Sequence, residues 1–145
     1  MLVAIGSDHG GFRLKKEITD YLTQKGIAFR DFGTNSSDSV DYPLIANEVA
    51  KAVACGECDK GIIVCGTGIG VSMAANKVKG IRAALCHDEF SAEMSRAHND
   101  ANVLTLGERV IGVGLALSIV AKWLSTEFDG GRHARRVAML ADLEK

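Results

Sequence analysis

The sequence predicts an α/β fold, a doubly wound sandwich built on a five-stranded parallel sheet. Three observations carry that expectation. Short apolar runs alternate with amphipathic stretches along all 145 residues. Glycine or polar residues bound each run. The conspicuous polar residues then fall just beyond those runs, where sheets of this kind hold their ligands.

The elements follow in order. "LVAIG" reads as a buried strand ahead of a glycine-rich turn. Leu14, Ile18, Tyr21 and Leu22 then recur at helical spacing until Gly26 stops the helix. "IAFRDFG" is a second strand, followed by the polar loop "TNSSDSVDYP" and a helix marked by Ile45, Val49 and Val53. "GIIVCG", "IRAALC" and "NVLTLG" are three further strands. Helices are expected after them near Gly70–Asn76, Glu89–His98 and Val110–Ser125. A last helix is expected over Ala134–Leu143, beyond the glycine break in "DGGRH". The whole reads as one Rossmann-like domain over residues 1–145, with no linker, repeat or low-complexity segment.

Composition narrows the function classes. The chain is 47% hydrophobic and 24% charged, with a net charge of −1, so it offers no general attraction for nucleic acid or an anionic membrane. No apolar run reaches the roughly 18 residues of a membrane span. Met1 leads directly into "LVAIGSDHGG", without the basic start of a secretory signal. The four cysteines lack a paired framework, which suits a reducing, cytoplasmic setting.

The chemistry centres on "IIVCGTGIGVS". Gly66, Gly68 and Gly70 lie between a strand and a helix start, where backbone N–H groups can converge on an anion. The third glycine comes one residue early for the dinucleotide fingerprint, and no Lys-Ser/Thr pair completes a P-loop. A tight turn needing positive φ is the plainer reading, and the spacing favours the anion over it. Cys65 opens the loop. It reads either as a small buried hydrophobe or as a thiolate base beside an oxyanion-stabilising loop, a pairing suited to removing a proton next to a carbonyl. A phosphatase of the C-x5-R type is excluded, because Val71 stands where the arginine should be.

Other candidates are weaker alone. Asp8 and His9 end the first strand, where polar residues contact ligands or merely form turns. His98, in "HND", reads first as a helix cap. Arg132 and Arg136 share one helical face, usually a solvated arrangement unless a dianion must be held. Arg109 follows the fifth strand. The C-x-x-C of Cys55 and Cys58 has no second pair to support zinc and sits wrongly for a redox pair, so it reads as incidental. Cys86 and His87 are assigned to core and turn.

Taken together, these motifs resemble the type B ribose-5-phosphate isomerases, with the related allose- and galactose-6-phosphate isomerases. The segments are "GSDHGGF", "GTNSSDSVDYP", "CGTGIGVSMAANKVKGIRAAL", "SRAHNDANVL", "GERV" and "FDGGRHARRV", in order along essentially the whole chain. The resemblance implies interconversion of D-ribose 5-phosphate and D-ribulose 5-phosphate through an enediolate, without metal or cofactor. Cys65 matches the catalytic base. The backbone of Gly66, Thr67, Gly68, Ile69 and Gly70 matches the enediolate-stabilising loop. His98 matches the ring-opening residue, with Thr67 and Asp8 assisting. Asn99 matches a substrate hydroxyl contact, and His9, Arg109, Arg132 and Arg136 match positions around the phosphate. One branch of the family replaces the cysteine with a glutamate just after the third glycine. Val71 stands there, so the chain resembles the cysteine branch. A six-carbon sugar phosphate such as allose 6-phosphate is the near alternative, and a non-catalytic phosphosugar-binding module the distant one.

One residue pair resists this placement. Helices of a doubly wound sheet run antiparallel to its strands, so His98 and Asn99, at a helix end, belong on the edge opposite Cys65. The expectation is a homodimer with shared active sites, in which His98, Asn99 and the Arg132/Arg136 helix reach the partner's cysteine. The family's dimers agree with it.

Overall fold

The computed structural model describes residues 1–144. Five strands and six helices alternate: β1 (Leu2–Ser7), α1 (Phe12–Gln24), β2 (Ala28–Asp31), α2 (Tyr42–Ala54), β3 (Lys60–Cys65), α3 (Ile69–Ala75), β4 (Ala83–Leu85), α4 (Glu89–Ala97), β5 (Val103–Gly107), α5 (Val113–Ser125) and α6 (Arg132–Asp142). All strand pairs are parallel, and the sheet order is β2-β1-β3-β5-β4. Each expected strand is present. Two helix starts differ: α5 begins at Val113 because Glu108–Val110 form a turn, and α6 begins at Arg132, directly after Gly131.

Strand alternation feeds two apolar layers. Val3, Ile5, Ile62, Val64, Leu104 and Leu106 pack against α1, α4 and α5, around the fully buried Trp123. Ala4, Ile63, Cys65 and Val103 pack on the other face against α2 and α3. Both faces of β1, β3 and β5 are therefore covered, which is why their sequences read as continuous apolar runs. The leftward connections, β1 to β2 and β4 to β5, carry α1 and α4 on one face. The rightward ones carry α2 and α3 on the other, as right-handed crossovers require. The chain thus leaves β1 and β3 in opposite directions. The crevice between their carboxyl ends is the switch point where such sheets bind ligands.

One buried charge fastens this edge. Lys15 on α1 is sealed from solvent, and its Nζ lies 2.7 and 2.9 Å from the two Asp31 carboxylate oxygens and 2.7 Å from Asn35 Oδ1. It ties the polar loop after β2 to α1. That loop in turn reaches His9.

Candidate active site

Three loops interlock at the carboxyl edge. The backbone N–H of Asp8 donates to Val64 C=O at 3.2 Å, that of Glu108 to Cys65 C=O at 2.9 Å, and that of Arg109 to Gly66 C=O at 3.0 Å. A β-carbon on Gly11 would lie 2.5 Å from Val64 O, so only glycine lets the first loop press this closely on β3. The ends of β1, β3 and β5 are thereby fixed relative to one another before any side chain acts.

Cys65 is buried at the mouth of the third-strand loop, and Gly68 N–H donates to its Sγ at 3.0 Å. Gly68 caps α3 with φ of 78°, a left-handed conformation that costs other residues free energy. Ile69 N–H is taken by Thr67 Oγ1 at 3.2 Å. Among the described residues, the N–H groups of Gly66, Thr67 and Gly70 have no acceptor. The loop thus divides its donors: one holds the sulfur, one closes a local turn, and the rest remain for a ligand. The sequence alone assigned them all to an anion. Gly70 backs onto Tyr42, whose ring would lie 2.6 Å from a β-carbon there, a neighbour that the sequence did not announce.

The surrounding polar groups fit an anionic ligand. Asp8 Oδ1 accepts from Gly10 N–H at 2.8 Å, the turn-forming role weighed for it. His9 Nδ1 accepts from Val40 N–H at 3.2 Å, so the neutral ring carries its proton on Nε2 and can donate it. The Arg109 guanidinium runs over Gly66, with Cδ, Nε and Cζ each 3.5 Å from where a β-carbon would stand. Glu108, beside it, accepts from Leu14 N–H at 2.7 Å and so caps α1. Only its position after a strand hinted at that role.

His98, Asn99, Arg132 and Arg136 lie elsewhere. His98 caps the C-terminus of α4. Asn102, four residues on, accepts Gly61 N–H at 2.9 Å, at the start of β3. Cys65 is at the other end of that strand, so His98 sits at the opposite edge, about 15 Å away along the strand direction. The start of α6 joins it there. The His98 and His133 rings stack with centroids 4.1 Å apart and planes 8° apart, and Asp129 N–H donates to Ala97 C=O at 2.9 Å. Desolvation first, then the charges of His98 and Arg132, hold the His133 imidazole below its ordinary 6.5. The conspicuous residues therefore form two groups: Asp8, His9, the Cys65 loop and Arg109 on one edge, and His98, Asn99, Arg132 and Arg136 with their helices on the other.

His98, Asp129 and His133 are also the group of metal-ligating side chains found among the described residues, with ligand atoms within 4.8 Å of one another. Near-parallel stacked rings direct their lone pairs along separate planes, and a shared cation would lie out of both. The arrangement suits stacking better than ligation. In the C-x-x-C, Cys55 is exposed while Cys58 is buried, and burial pushes the Cys58 thiol up. Burial raises Cys86 likewise, in keeping with its core assignment. No described helix is long and apolar enough to cross a membrane.

Comparison with known proteins gives one consistent result. The family model described as Ribose/Galactose Isomerase matches residues 3–140. Ribose-5-phosphate isomerase B of Escherichia coli is 51% identical over 143 residues, covering 99% of this chain and 96% of its own. D-erythrulose-4-phosphate isomerase of Pectobacterium atrosepticum is 46% identical, covering 98% and 94%. Among solved structures, Clostridium thermocellum ribose-5-phosphate isomerase B superposes with a TM-score of 0.98 at 58% identity, covering 99% and 97%. The Mycoplasma genitalium ribose-5-phosphate isomerase B with bound ribulose-5-phosphate gives 0.95 at 43% identity, covering 99% and 95%.

Proposed function

Because the chain belongs to the ribose/galactose isomerase family, we propose that it interconverts D-ribose 5-phosphate and D-ribulose 5-phosphate, with Cys65 as the proton shuttle. The observation that carries this reading is the Cys65 sulfur held by Gly68 N–H beside loop donors that the protein leaves unused. The reaction needs just those two things. A base takes the proton from C2 of the open aldose, and the electron pair moves onto the carbonyl oxygen at C1. The enediolate so formed is held by the free N–H groups of Gly66, Thr67 and Gly70. The proton then returns from sulfur to C1 while the C2 hydroxyl passes its own proton to the oxygen on C1 and becomes the ketone. C1 is reduced as C2 is oxidised, so no net redox change occurs. A thiol needs little activation for this, being partly thiolate near neutrality even when unperturbed.

The dianionic phosphate is assigned to His9 Nε2–H, Arg109, Arg132 and Arg136. Ring opening is assigned to His98, aided by Thr67 and Asp8, and a sugar hydroxyl to Asn99. Since His98 and Cys65 occupy opposite edges of one sheet, each site draws on two copies of the chain. Two further features support the shared site. No residue of α6 is buried in its own chain, although Met139, Leu140 and Leu143 give it an apolar side. An 11-residue helix with so little of its surface buried is marginal in water. Ile69, Met73 and Phe90 are exposed around the Cys65 edge, offering apolar surface for a second copy. The 1–145 chain then acts as one isomerase domain with its C-terminal helix reaching the partner.

The test is Cys65→Ala. Isomerisation should vanish while calorimetric binding of ribose 5-phosphate persists; retained turnover would end the shuttle role. The relative that acts on D-erythrulose 4-phosphate makes chain length the open dimension of the pocket. Comparing kcat/KM for ribose 5-phosphate, allose 6-phosphate and erythrulose 4-phosphate decides it, with the pentose expected to lead.

A further inference from the structure

We propose that Thr105 is a positioning residue for this isomerisation: its hydroxyl anchors the Gly68 carbonyl and so holds the residue whose N–H is presented to the Cys65 sulfur. The proposal rests on Cys65 being the proton shuttle. Thr105 lies in β5 between Leu104 and Leu106 and is fully buried. Its neighbours face the opposite layer, so Thr105 points with Val103 toward α3. An aliphatic residue would fill that place, and a hydroxyl there is costly unless bonded. It is bonded: Thr105 Oγ1 donates to Gly68 C=O at 2.9 Å.

That carbonyl does not need the hydroxyl for satisfaction. It already accepts Ser72 N–H at 3.3 Å, the first bond of α3. The second donor instead sets direction. Gly68, at φ of 78°, has no β-carbon to restrict the peptides on either side of it. One of those peptides carries the N–H that lies 3.0 Å from Cys65 Sγ. The other carries the carbonyl held by Thr105. The next residue but one in β5 adds to the same cradle: a β-carbon on Gly107 would meet Thr67 C and O at 2.6 Å, so the strand end lies flush under the loop. Anchoring from β5 thus keeps a permissive glycine in a single orientation at the sulfur.

The experiment compares Thr105→Val, which keeps shape and loses the hydroxyl, with Thr105→Ser, which does the reverse. Thr105→Val should lower kcat about tenfold with KM within about twofold, because the base is misaimed rather than substrate binding lost. Its primary isotope effect on C2-deuterated ribose 5-phosphate should rise, as proton transfer becomes more fully rate-limiting. Thr105→Ser should keep kcat near the parent's even if it melts lower. Parental kcat in Thr105→Val, or an equal loss in Thr105→Ser, overturns the proposal. Should Thr105→Val fail to fold, Thr105→Ser against Thr105→Ala, differing by one oxygen, gives the same decision. Cys65→Ala is measured in parallel. If it stays active, the shuttle reading itself has failed; if it is dead while Thr105→Val is normal, only the positioning role has.

Discussion

Replacing Gly68 with alanine perturbs the point where fold and chemistry meet. The new β-carbon would stand 2.5 Å from Leu85 Cδ1, 2.9 Å from Leu106 C and 3.1 Å from Leu106 O. Leu85 can swing its side-chain end away, but the Leu106 backbone is fixed in a fully buried strand. The left-handed φ of 78° adds its own cost. Roughly 1–2 kcal/mol for the conformation and a similar sum for overpacking give a loss of about 3 kcal/mol. For a chain of this size, that lowers Tm by roughly 10 °C. The loop must also move off β5, which takes Gly68 N–H away from the Cys65 sulfur, so kcat should fall about 100-fold. Gly66→Ala is the control for stability. Its β-carbon would meet only ordinary 3.5 Å contacts with Arg109, and its φ is not left-handed. It should cost under about 1 kcal/mol. Thermal melting and ribulose 5-phosphate formation, followed side by side, give both numbers. A Gly68→Ala protein melting within about 2 °C of the parent would refute the packing argument.

Further outcomes follow from the same geometry. Lys15→Met removes a buried cation from Asp31 and Asn35 and should cost about 2 kcal/mol in urea unfolding, moderated because Asp31 is partly exposed to water. It should also raise KM, since the loop it anchors holds His9. Because the folded His133 titrates below 6.5, the unfolded chain binds more protons as pH falls through that value. Stability should therefore decline below about pH 6.5, and His133→Gln should flatten that part of the pH–Tm curve. Iodoacetamide at neutral pH should modify exposed Cys55 well before Cys58 and Cys86, whose thiols burial raises; mass spectrometry of the peptides checks the order.

Much of the fold was legible because the central strands are buried on both faces. Apolar runs such as "IIVC" and "VLTL" need no alternation to be recognised as strands. Their order was not legible. Nothing local says that β5 inserts between β3 and β4. The apolar "AAL" of β4 gives no sign of an edge strand either; its half-burial is visible only in the fold. In the site, the glycine spacing and the opposite placement of His98 followed from sequence and topology. The stack of His98 on His133 did not, because it depends on how the turn at Gly130 and Gly131, both with positive φ, aims α6. Nor did the use of Gly68 N–H on sulfur rather than on a ligand, a matter of ångström placement within the loop. Thr105 did leave a trace: a lone hydroxyl in an apolar strand, which turns out to bond the loop that matters.

The most direct measurement mixes two dead enzymes. Cys65→Ala and His98→Ala, each inactive alone, are unfolded together and reassembled. If sites are shared between two copies, a mixed dimer holds one site with both lesions and one with neither. Half the dimers are mixed under random pairing, so about a quarter of parental activity should return. Recovery to that level is expected for shared sites. A mixture as inactive as its parents would contradict the sharing.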